Sequence, residues 1–242
     1  GLAAQTLYYY VGYATNSIGT SISSEGSFRT LSNPVTAQPT TLSTVPGNGQ
    51  ITVNWNNASF PGSGANNGGY LLLYATSPNT PSLGSVNGNV PSAGANTTLV
   101  NITSTTLPTL PAVTSNITGL VNGTTYNFLL IPYTWDGTNN TTYNYFTTAA
   151  LTVSGAPLST PTVTTTVAAS AITDISATSG GQTITGSSLD SVGLVWSVSP
   201  TTPAVGSGNY AGRTNEGTSN SNFSSNLTGL SAQTQYNVRA YA

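Results

Sequence analysis

The chain contains no cysteine, no histidine, no methionine and no lysine. Without Cys, neither a disulfide nor a thiolate metal site can form. Without His, Cys and Lys, the usual general bases and nucleophile partners are missing, and the many serines have nothing to activate them. With neither Cys nor Met there is no sulfur to oxidise, which suits a long life outside the cell. Charge is equally scarce. Charged residues make up 3%, against about 25% in ordinary soluble domains. The bases are Arg29, Arg213 and Arg239, and the acids are Glu25, Asp136, Asp174, Asp190 and Glu216. A net charge of -2 offers no basic face to nucleic acid or anionic lipid. No apolar run approaches the ~20 residues of a helical membrane span. No basic-then-apolar leader opens the sequence, so a secreted protein would be represented here by an interior or processed piece.

What remains for catalysis is carboxylates. Asp174, Asp190 and Glu216 fall in one stretch, but each lies near an apparent turn with no supporting motif. Asp136 in "WDGTNN" offers one oxygen to a calcium ion, yet Asp-Gly is better explained as a hairpin turn. The expectation is a protein that is not an enzyme and holds no cofactor or metal.

Low charge with modest hydrophobicity can mean disorder, but disordered chains lack aromatic and β-branched residues. This one has 13 Tyr, 5 Phe and 3 Trp. Apolar residues alternate at Ile51, Val53 and Trp55, at Tyr126, Phe128 and Leu130, and at Leu194, Trp196 and Val198. Turn signals stand between such runs: "PGNGQ" at 46–50, "PGSGANNGG" at 61–69, "DGTNN" at 136–140 and "SGGQ" at 179–182. No amphipathic helical period is visible. The chain reads as all-β, in short strands.

A repeat organises it. The string G-L-x-x-x-T-x-Y begins at Gly1, again at Gly119 and again at Gly229. Each step is about the length of one Ig-like sandwich. Segments 1–14 and 229–242 match at eight of fourteen positions, and the middle copy is more distant. Two domain types therefore alternate, and one full period (228) runs from Gly1 to Gly229. Pro-rich stretches at 31–41 and 154–165 read as semi-stiff linkers. Between them, 42–153 reads as a complete sandwich. Residues 166–242 read as about the first five strands of a second type, and residues 1–30 as the last two strands of that same type.

The string G-L-x-x-x-T-x-Y-x-x-x-x-x-A resembles the corner between strands E and F of fibronectin type III and related Ig-like sandwiches. "GQITVNW" at 49–55 resembles strand B, and "GYLLLYA" at 69–75 resembles strand C. The pieces "YYYVGYATNSIGTSISSEGSFRT" and "VGLVWSVSPTTP" resemble a variant found in very long tandem-repeat surface or secreted proteins of bacteria. This resemblance implies tyrosine-corner roles for Tyr8, Tyr126 and Tyr236 and core positions for Leu2, Trp55, Leu120, Trp196 and Leu230. Trp135, Tyr143 and Tyr145 flank the loop 136–142, the F–G loop of such folds. They form a candidate ligand patch for sugar stacking, weighed against plain cross-strand packing. Ser191, in Asp190-Ser191-Val192, resembles an O-glycan acceptor of some bacterial secreted proteins.

Sandwich edges normally protect themselves with charge, lysine above all. These strands have almost none, so mutual repulsion is weak and salt has little to screen. The expected partners are copies of the chain itself, with glycans or surfaces second. The expected role is a structural repeat of an extracellular bacterial filament or stalk, its domains end to end. The alternatives are an adhesive or carbohydrate-binding module and the spacer of a larger secreted enzyme.

Overall fold

The computed structural model describes residues 1–61, 67–104 and 113–242. Among these the chain is all-β apart from one short 3-10 turn at Asn140–Thr142, and it divides into two compact units, Gly1–Pro157 and Leu158–Ala242.

The first unit opens with a long kinked hairpin. Strand β1 (Leu7–Tyr10) pairs antiparallel with β4 (Gly26–Arg29), and between them β2 (Tyr13–Thr15) pairs with β3 (Thr20–Ile22). The sandwich proper follows. One sheet orders β5 (Leu42–Gly47), β6 (Gln50–Trp55) and β9 (Thr114–Thr118). The other orders β8 (Thr98–Ser104), β7 (Asn67–Thr76) and β10 (Tyr126–Trp135). The far edge of β10 is shared by two strands, β12 (Leu151–Gly155) along its first half and β11 (Asn144–Tyr145) along its second.

Alternation explains β6: Ile51, Val53 and Trp55 are buried while their neighbours are half-exposed. They face Tyr70, Leu72, Phe128 and Leu130 across the inter-sheet core, with Trp55 edge-on to Tyr70 at 5.3 Å. The turn "PGNGQ" closes β5 onto β6 with Asn48 and Gly49 at its tip, and Gly49 takes the positive φ of 65° that such a turn needs. Of the turn expected at 61–69, residues 62–66 lie outside the described residues, and Asn67–Gly69 already belong to β7.

β7 departs from alternation. Tyr70, Leu71, Leu72 and Leu73 are all fully buried. The outer face of this sheet carries a second core of Leu71, Leu73, Ile131, Tyr133, Tyr143 and Tyr145. Residues 77–97, a Gly/Asn/Pro-rich stretch, fold over it as a third layer. Their hold is a set of neutral hydrogen bonds. Gly88 N–H donates to the Tyr143 carbonyl (2.8 Å), Tyr145 N–H to Asn87 Oδ1 (2.7 Å) and Tyr145 Oη to the Asn89 carbonyl (2.6 Å).

The expected linker at 31–41 is not free chain. Ser32 and Val35 are 2% exposed, and Val35 belongs to the inter-sheet core. Ser32 N–H donates to the Thr142 carbonyl, Thr134 Oγ1 to the Asn33 carbonyl, and Gln38 Nε2 to the carbonyls of Phe146 and Thr148. Buried backbone requires such partners, and the sandwich supplies them. The second linker is shorter than 154–165, because β12 runs to Gly155 and the next strand starts at Thr162.

Among the described residues, the second unit holds six strands. β13 (Thr162–Ser170), β14 (Ser176–Thr185) and β17 (Phe223–Thr228) form one sheet. β16 (Gly212–Arg213), β15 (Gly193–Val198) and β18 (Tyr236–Tyr241) form the other. Its core is small: Leu194, Trp196 and Leu227, with Phe223, Leu230, Tyr236, Val238 and Ala240 packed against them. "SGGQ" at 179–182 is not a turn but the middle of β14. A Cβ at Gly180 would run into the Phe223 carbonyl of the neighbouring strand, so the glycines permit close strand approach rather than reversal. The three arginines all sit in strands, Arg29 in β4, Arg213 in β16 and Arg239 in β18.

Candidate functional site

The three copies of the repeated string fold alike. Ala3 N–H donates to Tyr8 Oη (2.8 Å), Val121 N–H to Tyr126 Oη (3.0 Å) and Ser231 N–H to Tyr236 Oη (3.1 Å). Each hydroxyl thus returns to backbone five positions upstream, the geometry of a tyrosine corner. The first and third copies agree further. Gln5 and Gln233 both take left-handed backbone, at φ 58° and 55°. Thr6 Oγ1 donates to the Ala4 carbonyl and Thr234 Oγ1 to the Ala232 carbonyl. In each of these pairs the second member lies one full period after the first.

The corners differ in what lies beside them. Antiparallel ladders alternate which residues turn their backbone groups toward a given neighbour. Ser199 N–H donates to the Gln235 carbonyl, so the odd positions of β18 face β15 and Tyr236, Val238 and Ala240 face away. In the first unit Ser77 N–H donates to the Thr125 carbonyl, so Tyr126, Phe128 and Leu130 face away from β7, toward β12. At the opening corner Thr30 N–H donates to the Thr6 carbonyl, and the same parity turns Tyr8 and Tyr10 toward β4. One and the same edge is therefore covered by β4 in the first copy and by β12 in the second. In the third, among the described residues, no strand pairs with it. There the Ala240 N–H finds a side-chain partner, Thr166 Oγ1 at 2.9 Å.

Beside that edge runs a mostly apolar groove of about 430 Å³, lined by Ile172, Ala177, Leu227, Leu230, Tyr236 and Val238 among others. The matching residues of the opening hairpin show the reverse condition. Leu2, expected in a core, is 61% exposed, because no opposing sheet packs on it, whereas its counterpart Leu230 packs against the second unit's core. Tyr10 and Phe28 are 59% and 44% exposed, with Phe28 stacked on Tyr8 at 5.8 Å.

Of the other expected core positions, Trp55, Leu120 and Trp196 are buried and Leu230 is partly so. The candidate ligand patch is not a surface. Tyr143 and Tyr145 are buried, and Trp135 is half-buried and stacked on Tyr143 at 4.8 Å and 9°. Residues 87–89 bond to Tyr143 and Tyr145, and of the three rings Trp135 alone keeps partial exposure. Burial pushes the Tyr145 hydroxyl up to about 12, and burial likewise raises Tyr133 and Tyr143. The unbroken run Tyr70–Leu73 was the available signal for a sheet covered on both faces.

Asp136 is engaged by its own loop. Partial burial works against its charge, but the amides of Thr138 and Asn139 and the Asn139 side chain outweigh this and lower its pKa. Asp174 and Asp190 lie exposed in separate loops, and the Ser225 hydroxyl donates to Glu216. Among the described residues no three His, Cys, Asp or Glu side chains gather. Ser191 lies half-buried in the loop between β14 and β15.

No protein-family model and no curated protein matches the chain. Among solved structures, it is similar to the FN1–FN3 domains of chicken CNTN1, with 14% identity and a TM-score of 0.38. That match covers 99% of this chain and 71% of the other. It is also similar to a segment of two fibronectin type III domains from chicken tenascin, with 17% identity and a TM-score of 0.30, covering 84% and 89%. The class is defined by the strands themselves. In the first unit a sheet of three strands faces one that is four strands wide, an Ig-like sandwich of the fibronectin type III kind, and the second unit carries the same corner.

Proposed function

We propose that this chain is a structural repeat unit of an extracellular bacterial filament or surface stalk, non-catalytic, with its domains arranged end to end and copies of itself as its partners. One observation carries the reading: the corner at 229–236 reproduces the corner at 1–8 bond for bond. A sequence element met twice at one domain-pair spacing is the mark of a tandem array. The near absence of charge supports it, since such strands have little to keep copies apart. Among the described residues no helix is long and apolar enough to cross a membrane. The glycan-binding alternative is left with one partly exposed ring, Trp135, because Tyr143 and Tyr145 are buried.

Electron microscopy of the native material, with a denaturing gel beside it, tests the proposal. Strands of about eight residues are about 26 Å long, so with loops two domains should advance roughly 70–80 Å. Filaments with that axial repeat, built from a very large covalent species, are expected. Dispersed particles of the 24.5 kDa chain would overturn the reading.

A further inference from the structure

We propose that Asn48 is a latent site of covalent modification by water, a deamidation site held unreacted by the carboxamide of Asn122. The clasp works within one copy of the chain and needs no second molecule.

Cys and Met are absent, so Asn and Gln are the heat-labile residue types that remain. Four Asn–Gly pairs begin at Asn48, Asn67, Asn87 and Asn122. A following glycine sets no Cβ in the way of ring closure. The glycine nitrogen attacks the Asn Cγ and the N–Cγ bond forms. The Cγ–Nδ2 bond breaks, and Nδ2 leaves as ammonia with the proton that the glycine nitrogen gives up. Water then opens the cyclic imide at either carbonyl, leaving aspartate or isoaspartate. Each event adds one negative charge to a chain whose net charge is -2. Ring closure therefore needs a glycine nitrogen free to swing onto the preceding side chain.

The fold restrains that nitrogen at each pair by different means. Gly68 is buried in β7 between β8 and β10. Gly88 N–H donates to the Tyr143 carbonyl (2.8 Å), while Asn87 Oδ1 accepts the Tyr145 N–H (2.7 Å). Gly123 N–H donates to the Pro157 carbonyl (3.2 Å). Asn48 differs, because it is exposed at the tip of the β5–β6 hairpin, beyond the last ladder pair Gly47 and Gln50. Its restraint comes from the corner that opens at Gly119. Gly49 N–H, the attacking group, donates to Asn122 Oδ1 (2.7 Å). Asn122 Nδ2 donates to Asn48 Oδ1 (2.8 Å), on the group attacked. The Gly49 carbonyl accepts Leu120 N–H (2.9 Å), so the glycine is pinned on both its backbone groups. Donation to Asn48 Oδ1 by itself would favour attack, by stabilising charge on that oxygen. The restraint on the nitrogen decides the sign, since no attack begins until it is released. An exposed turn opens by local fluctuation rather than by global unfolding, so the rate at Asn48 follows the opening of this clasp.

In the experiment the full chain is incubated at neutral pH and body temperature and digested with pepsin in acid. Mass spectrometry then follows the mass gain of deamidation at each Asn. A synthetic peptide of segment 45–53, VPGNGQITV, is the unrestrained reference. Asn48 should react about tenfold more slowly, or slower still, in the folded chain than in the peptide, and Asn122→Ala should speed it about tenfold. Asn67 and Asn87 lie outside the clasp and should keep their wild-type rates in Asn122→Ala, which separates loss of the clasp from general unfolding. Asn122→Asp keeps an acceptor for Gly49 N–H and should leave Asn48 slower than Asn122→Ala does. Equal rates at Asn48 in chain and peptide, or an unchanged rate in Asn122→Ala, would overturn the inference. So would a rise shared equally by Asn67 and Asn87, or an Asn122→Asp chain that ages at Asn48 as fast as Asn122→Ala.

Discussion

Leu72 and Leu73 are neighbours in β7, and simple alternation makes only one of them a core residue. The structure makes both: Leu72 lies between the sheets, Leu73 under residues 77–97, and neither is exposed to solvent. Replacing a fully buried Leu by Ala loses its transfer free energy and leaves a cavity, together about 2–5 kcal/mol. Leu72→Ala and Leu73→Ala should therefore each destabilise the first unit by an amount in that range. A Trp196→Phe background leaves Trp55 and Trp135 as the only indole reporters, both in the first unit. Urea unfolding followed by their fluorescence then reads that unit alone, and comparing midpoints at constant slope gives the difference. A loss below about 1 kcal/mol for Leu73→Ala, beside a loss above about 2 kcal/mol for Leu72→Ala, would refute the claim that the outer face carries a core.

The lid itself is testable through Asn87→Ala, which strips the acceptor from the Tyr145 N–H and should cost about 1–3 kcal/mol by the same urea assay. Tyr126→Phe removes the bond from Val121 N–H in a half-buried corner and should cost about 1 kcal/mol, whereas Tyr8→Phe, at an exposed corner, should cost less. Alkali should weaken the first unit. The folded pKa of Tyr145 is raised from 10.0 to about 12, so the stability it confers is whole below pH 10 and is lost as the pH rises through 12. The urea midpoint should fall between pH 10 and 12 together with the appearance of phenolate absorbance; a midpoint that stays level across that window would contradict the buried placement.

Much of this architecture was legible as pattern. The alternation at Ile51, Val53 and Trp55 marked a strand with one buried face, and the thrice-repeated string located three corners whose hydroxyls all return to backbone. Local pattern failed where distant chain supplied the missing surface. Nothing within 69–75 states that residues 77–97 will cover its outer face, although four consecutive apolar residues hinted at it. Pro-rich 31–41 has the composition of a linker, yet Val35 is captured by the core of a sandwich that starts after it. At Gly180 the sequence shows the absence of a side chain, and only the fold tells close packing from reversal. Which edge of β18 turns toward β15 was not visible at all. It depends on which of two neighbours each backbone amide faces, a parity set by pairing rather than by residue type.

The placement of the three arginines has a consequence for digestion. A protease that cuts after basic residues prefers exposed loop tips, and here each basic residue is held in a paired strand. Cleavage therefore waits for local opening, and its rate reports how often that strand comes undone. Arg29 reads the opening hairpin, and Arg213 and Arg239 read the second unit. Residues 30–212 contain no Lys or Arg, so the intervening sandwich should survive such digestion as one intact core fragment even after both its flanks have been nicked.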